Sequence, residues 1–104
     1  MGLKPLAIQW AAPAEATFER LLAYIEVENP AAARNLYART MAAVAAAALH
    51  PELGPAIPEL GRSYRELLVV RPFRVVYRQE AGVLRVIAVM RQEQDFDPQR
   101  FQVD

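Results

Sequence analysis

Between Ser63 and Arg91 the chain carries three runs rich in branched and aromatic residues, separated by joints too short for any crossover connection. Ser63–Val70, Phe73–Gln79 and Val83–Arg91 are joined at Arg71-Pro72 and at Glu80-Ala81-Gly82. A parallel pairing needs a dozen or more residues to return, whereas a hairpin needs two to five. Three consecutive strands with hairpin-sized joints therefore predict an antiparallel meander, and the rest of the fold has to cover it.

What covers it is legible upstream. Leu3 to Trp10 is short and apolar, with Pro5 suited to an edge strand or a strand start, and Ala11-Ala12-Pro13 breaks it. Pro13 fits the first turn of a helix, in which Phe18, Leu21, Leu22 and Ile25 recur at the i, i+3, i+4, i+7 spacing while Glu15, Glu19, Arg20, Glu26 and Glu28 fall on other faces. In "ENPAAA", Asn29 caps a second helix and Pro30 takes its first position. That helix runs to about Leu49, with Ala33, Leu36, Tyr37, Thr40, Met41, Val44 and Ala48 near one stripe and an alanine-rich body that permits close approach. The two form an αα-hairpin. His50 to Arg62 holds three prolines and two glycines and predicts a connector without regular structure.

The expected fold is α+β: an N-terminal strand, the helical hairpin, then the three-stranded meander, in one four-stranded sheet with the helices on one face. At 104 residues the chain suits a single domain over 1–104, with 92–104 as a polar C-terminal tail. Along the middle strand Phe73, Val75 and Tyr77 share one face and Arg74, Val76 and Arg78 the other, because successive side chains alternate. The aromatic face should lie under the helices. The arginine face should meet solvent or a partner.

Hydrophobic residues make up 54% of the sequence and charged ones 23%, a packed globule's balance. No run of ~18 apolar residues suggests a membrane span, and no secretory leader is evident, so a cytoplasmic protein is expected. The absence of cysteine excludes disulfides, a thiolate nucleophile and a cysteine metal site, and one histidine excludes a multi-histidine centre. No metal or cofactor is implied. The formal net charge of zero hides a dipole: seven arginines (62, 65, 71, 74, 78, 85 and 91) face only Glu66 and Glu80 between 62 and 91, whereas 13–60 and 92–104 each carry a net charge of −3. Such an excess calls for an acidic complement, for which the candidates are the tail (Glu93, Asp95, Asp97, Asp104), a partner protein or phosphate.

Taken in order and spacing, Trp10 closing the first strand, the "LLAYIE..NP.AA" hairpin, "YREL.V", "FRVVYR" and "VLRVIAVMR" resemble the RelE/ParE superfamily of bacterial type II toxins, over nearly the whole chain. The resemblance implies a growth-inhibiting toxin neutralised by a cognate antitoxin, with operator DNA reached only through that antitoxin, no membrane partner, and a toxin–antitoxin heterotetramer or larger assembly. It also implies a choice. The RelE branch cuts mRNA on the ribosome with basic residues and a C-terminal tyrosine; the ParE branch inhibits DNA gyrase by binding. Against the RelE pattern this chain has Val69 and Gln92 where arginines are expected, Phe96 and Phe101 in place of the tyrosine, and Met90 where YoeB-like relatives place a histidine. Arg74 and Arg91 match basic positions in both branches.

Those departures favour the ParE branch, with Arg65, Arg74, Arg78 and Arg91 as the partner-binding residues. The alternative is a ribosome-dependent endoribonuclease with a diverged site, in which Arg65, Arg74 and Arg91 clamp the phosphate and the catalytic base is unknown. Cleavage at a ribose 2'-hydroxyl requires a base, an acid and charge stabilisation within hydrogen-bond reach, and Tyr77 falls on the core face. For the other conspicuous side chains structural roles are expected: His50 at a helix C-terminus, where the dipole favours an imidazolium, Trp10 in the core, and Tyr24 and Tyr37 in packing or at its rim.

Overall fold

In a computed structural model, which describes residues 4–69 and 73–91, the elements occur in the expected order. β1 (Ala7–Trp10) leads into α1 (Ala12–Glu28) and α2 (Pro30–Leu49), and β3 (Gly61–Leu68), β4 (Phe73–Glu80) and β5 (Val83–Arg91) form the meander. The Arg71-Pro72 joint and the tail from Gln92 lie outside the described residues. β1 pairs in parallel with β5, and the meander pairs are antiparallel. The parallel pairing is made possible by the long excursion through the helices between the two strands.

The connector differs from expectation. It contributes β2 (Ala56–Ile57), which pairs antiparallel with β3, and a single 3-10 turn at Pro58–Leu60. The sheet accordingly has five strands in the order β1-β5-β4-β3-β2. Two residues of strand carry no readable periodicity. What places them is the β3 edge, where Glu66 donates its N–H to the carbonyl of Pro55 at 3.1 Å.

One residue makes the corner between the helices. The backbone N–H of Asn29 closes α1 by donating to Ile25, while its side-chain oxygen accepts from the N–H of Ala32 at 3.0 Å and opens α2. Pro30 at the first helical position forfeits only an N–H that had no intrahelical acceptor. At the other hairpin, Ala81 (φ +40°) and Gly82 (φ +81°) are both left-handed, as a two-residue turn between twisted strands requires.

The helices cover one face of the sheet. Ala14 and Phe18 of α1, and Leu36, Val44, Ala47 and Ala48 of α2, pack on Leu67, Val75, Tyr77, Leu84, Val86 and Val89. Each large side chain buried there contributes roughly 1.5–3 kcal/mol. Phe73, Val75 and Tyr77 thus lie under the helices, as their alternation predicts.

The opposite face does not follow the simple expectation of a solvated surface. Ile57 and Leu60, from the connector, join Tyr64, Val76, Ile87, Ala88 and Met90 in a second, smaller apolar cluster, and Val76 has no exposed surface. β5 supplies two consecutive residues to it through a bulge: Val76 opposes Ala88 while Tyr77 opposes Val86, leaving Ile87 as the extra residue. Beyond the bulge the parity of β5 is reversed, so that Val89 returns to the helix side and Met90 to the other.

Candidate partner-binding surface

Strand register decides where each arginine goes. On β4, Arg74 and Arg78 lie with Val76 on the face away from the helices. Arg85 of β5 is the cross-strand partner of Arg78 and shares that face. Arg65 opposes Tyr77, and Arg91 opposes Phe73, so both belong to the helix side. The sequence-nominated set therefore divides into two pairs on opposite faces of the sheet.

The arginines away from the helices are largely matched from within. Arg74, only 9% exposed, donates through Nη1 to Glu66 Oε1 at 3.3 Å. The two are diagonal neighbours on antiparallel strands, since Leu68 opposes Arg74 and Glu66 opposes Val76. Arg78 donates through Nε to Glu80 Oε2 and through Nη1 to the Tyr64 hydroxyl at 3.0 Å, with its guanidinium 5.3 Å from the Tyr64 ring centre. Partial burial weakens the Arg78 guanidinium's hold on its proton, but Glu80 and Tyr64 outweigh that and raise its pKa above the ordinary value.

Arg85 is what remains. No ion pair of the described residues includes it, and it stands directly across from the like-charged Arg78. Like charges opposed on neighbouring strands destabilise a sheet. Arg85 belongs to the cationic excess of the sequence but not to the four arginines expected at the site; the signal for it is relational, one cation opposite another, and needs the β4–β5 register to be seen. The excess itself is smaller on this face than the sequence suggests. Two of its arginines pair internally and two others lie on the helix side.

On that side, Arg65 donates through Nη1 to the carbonyl of Gly54 at 2.8 Å and borders a shallow recess with Pro51, Glu52, Ser63 and Gln79. The same loop is held by Tyr77, whose hydroxyl donates to the carbonyl of Pro51 at 2.8 Å and accepts from the N–H of Gly54 at 3.0 Å. Gly54 has no alternative, because a Cβ there would come within 2.2 Å of the Glu66 carbonyl oxygen. Arg91 stands 5.9 Å from the Phe73 ring centre at the other end of the sheet. No group of three or more metal-ligating side chains occurs among the described residues.

The sequence profile of the ParE toxin of type II toxin–antitoxin systems, parDE, matches residues 8–96. The chain belongs to the ParE toxin family. Its fold is similar to that of a solved structure from the chromosomal ParDE toxin–antitoxin system of P. aeruginosa, with a TM-score of 0.70 and 19% identity over 85% of this chain and 97% of that one. None of the curated proteins matches the sequence. Within the ParE family frame, Trp10 occupies the helix side of β1, stacked on Phe18 at 5.4 Å, and His50 caps the end of α2 by donating its N–H to Ala46. No described helix is long and apolar enough to cross a membrane.

Proposed function

We propose that this ParE-family chain is the toxin of a type II pair that stops growth by binding DNA gyrase in the cytoplasm, with no chemistry of its own. A cognate antitoxin would neutralise it by laying an acidic segment on the sheet face of Arg74, Arg78 and Arg85. The observation that carries this reading is the division of the arginines. A ribonuclease built on Arg65, Arg74 and Arg91 would need all three at one phosphate, yet Arg74 is on one face and the other two are on the opposite one. Their partners on β4, Tyr77 and Phe73, are four residues apart, which places Arg65 and Arg91 roughly 13 Å apart along the strands. A clamp on a single phosphorane requires donors within about 3 Å of its oxygens.

The candidate acids and bases beside Arg74 and Arg78 are also committed. Glu66, Glu80 and Tyr64 are each bonded to an arginine. Binding by charge-assisted hydrogen bonds asks less of the face: an incoming carboxylate can add to the arginine already held and complete Arg85.

Purified protein is expected to block supercoiling by gyrase and to leave ribosome-bound mRNA uncut; cleavage in the ribosomal A site overturns the reading in favour of the endoribonuclease. For the antitoxin arm, Arg85→Ala should weaken antitoxin binding about tenfold, the scale of one lost charge-assisted bond of ~1.5 kcal/mol. Thermal stability should be unchanged, because the change also removes a like-charge opposition. Unaltered affinity would remove Arg85 from the interface.

A further inference from the structure

On the other side of the molecule, residues of β1, α1 and α2 line an open recess of about 270 Å³. Its floor and α2 wall are apolar: Trp10, Phe18, Leu22, Tyr37 and Met41. Three of these form a stack, Phe18 lying 5.4 Å from Trp10 and 6.3 Å from Tyr37 between ring centres. Tyr37 ends the stack with half of its surface, 52%, open to solvent. The α1 wall carries two carboxylates, Glu15 and Glu19, one turn apart.

Nothing inside the described chain answers those carboxylates. Both are exposed, and neither takes part in the ion pairs formed there. Like charges at i and i+4 oppose a helix by about 0.2–0.5 kcal/mol. Glu15, in the first turn of α1, is favoured by the helix dipole; Glu19 lies beyond the first turn, where that effect has decayed. An exposed aromatic face beside an uncompensated pair of carboxylates is the arrangement that attracts a cation, by ring quadrupole and by charge together.

We infer that this recess is a docking site for a partner polypeptide that presents an aliphatic side chain next to an arginine or lysine. The aliphatic group enters the recess over Trp10 and Met41, and the cation lies against the Tyr37 ring between Glu15 and Glu19. The volume is below the ~300–1,000 Å³ of sites that enclose a small ligand, and suits one or two side chains of a larger partner. The carboxylates repel phosphate, which removes nucleic acid and anionic lipid surfaces from the candidates. The site is opposite in sign to the arginine face and does not depend on what binds there.

Trp10 is the chain's single tryptophan, so its emission reports on this recess directly. The full chain is titrated with a blocked, tryptophan-free nonapeptide that alternates leucine with arginine, and separately with the same peptide carrying glutamate in place of arginine. The arginine peptide is expected to shift Trp10 emission saturably, and Glu15→Gln with Glu19→Gln to weaken that binding at least tenfold while circular dichroism stays unchanged. The glutamate peptide should leave Trp10 silent even if it binds the arginine face. Equal responses to the two peptides, no saturable response, or binding indifferent to the double substitution overturns the inference. Peptide-free self-association lost in the double variant also overturns it, because the occupant is then a second copy.

Discussion

Replacing Tyr77 with phenylalanine removes one oxygen atom and leaves the ring in the core, which makes it a clean test of what holds the connector to the sheet. The hydroxyl donates to the Pro51 carbonyl at 2.8 Å and accepts from the Gly54 N–H at 3.0 Å. A net hydrogen bond is worth about 0.5–1.5 kcal/mol, and a buried N–H left without an acceptor costs about 1–3 kcal/mol. Pro51 is only partly buried and water can replace its lost donor, so Gly54 dominates and the expected loss is about 2 kcal/mol. For a domain of this length that lowers Tm by roughly 8 °C. Alkali supplies an independent check. Burial pushes the Tyr77 phenol above its ordinary value of 10.0, and the Gly54 amide and Arg65 only partly pull it back. With the folded pKa raised, the unfolded chain releases its proton first; this contribution is whole below pH 10 and is lost as pH climbs through the folded value. Urea melts of both proteins at pH 7, 10 and 11 should show the stability gap narrowing at the top of that range. A gap under 0.5 kcal/mol at pH 7, or one that widens in alkali, would refute the reasoning.

Gly54→Ala should be harsher, by about 3 kcal/mol or more, since the new methyl meets backbone at 2.2 Å and not a side chain that can move aside; a soluble variant with unchanged Tm would show that the loop is not seated against β3. Ala81→Asn should stabilise by roughly 0.5–1 kcal/mol, measured by chemical denaturation, because asparagine accepts the left-handed conformation that alanine adopts there under strain. Arg78→Ala should lower stability by about 1–2 kcal/mol by stripping Glu80 and Tyr64 of their shared partner, in contrast to the neutral Arg85→Ala; equal Tm values for the two would put Arg78 among the free surface cations.

The element order, the helix stripe and the placement of Phe73, Val75 and Tyr77 beneath the helices could all be read from residue spacing, because each rests on periodicity within one element. What could not be read depends on relations between elements. Ala56–Ile57 is too short to show alternation and becomes a strand only because β3 offers an edge. The bulge at Ile87 is hidden because Val86-Ile87-Ala88-Val89 is apolar at every position, so the run is compatible with either phase. The internal pairing of Arg74 with Glu66 requires the β3–β4 register, which alternation within either strand does not give. The face of Arg65 is lost for the same reason. Among the arginines, counting charge revealed the excess, and register revealed who already holds it.

The extra residue in β5 also changes how relatives of this chain should be compared. Arg91 reaches the helix side of the sheet because Ile87 and Ala88 together oppose Val76, and the same sequence paired without that bulge would turn Arg91 over to the face of Arg74 while moving Met90 underneath the helices. Two toxins with an identical arginine in the same alignment column can therefore present it to different molecules, and whether the strand bulges is the first thing to establish before a function is transferred from one to the other.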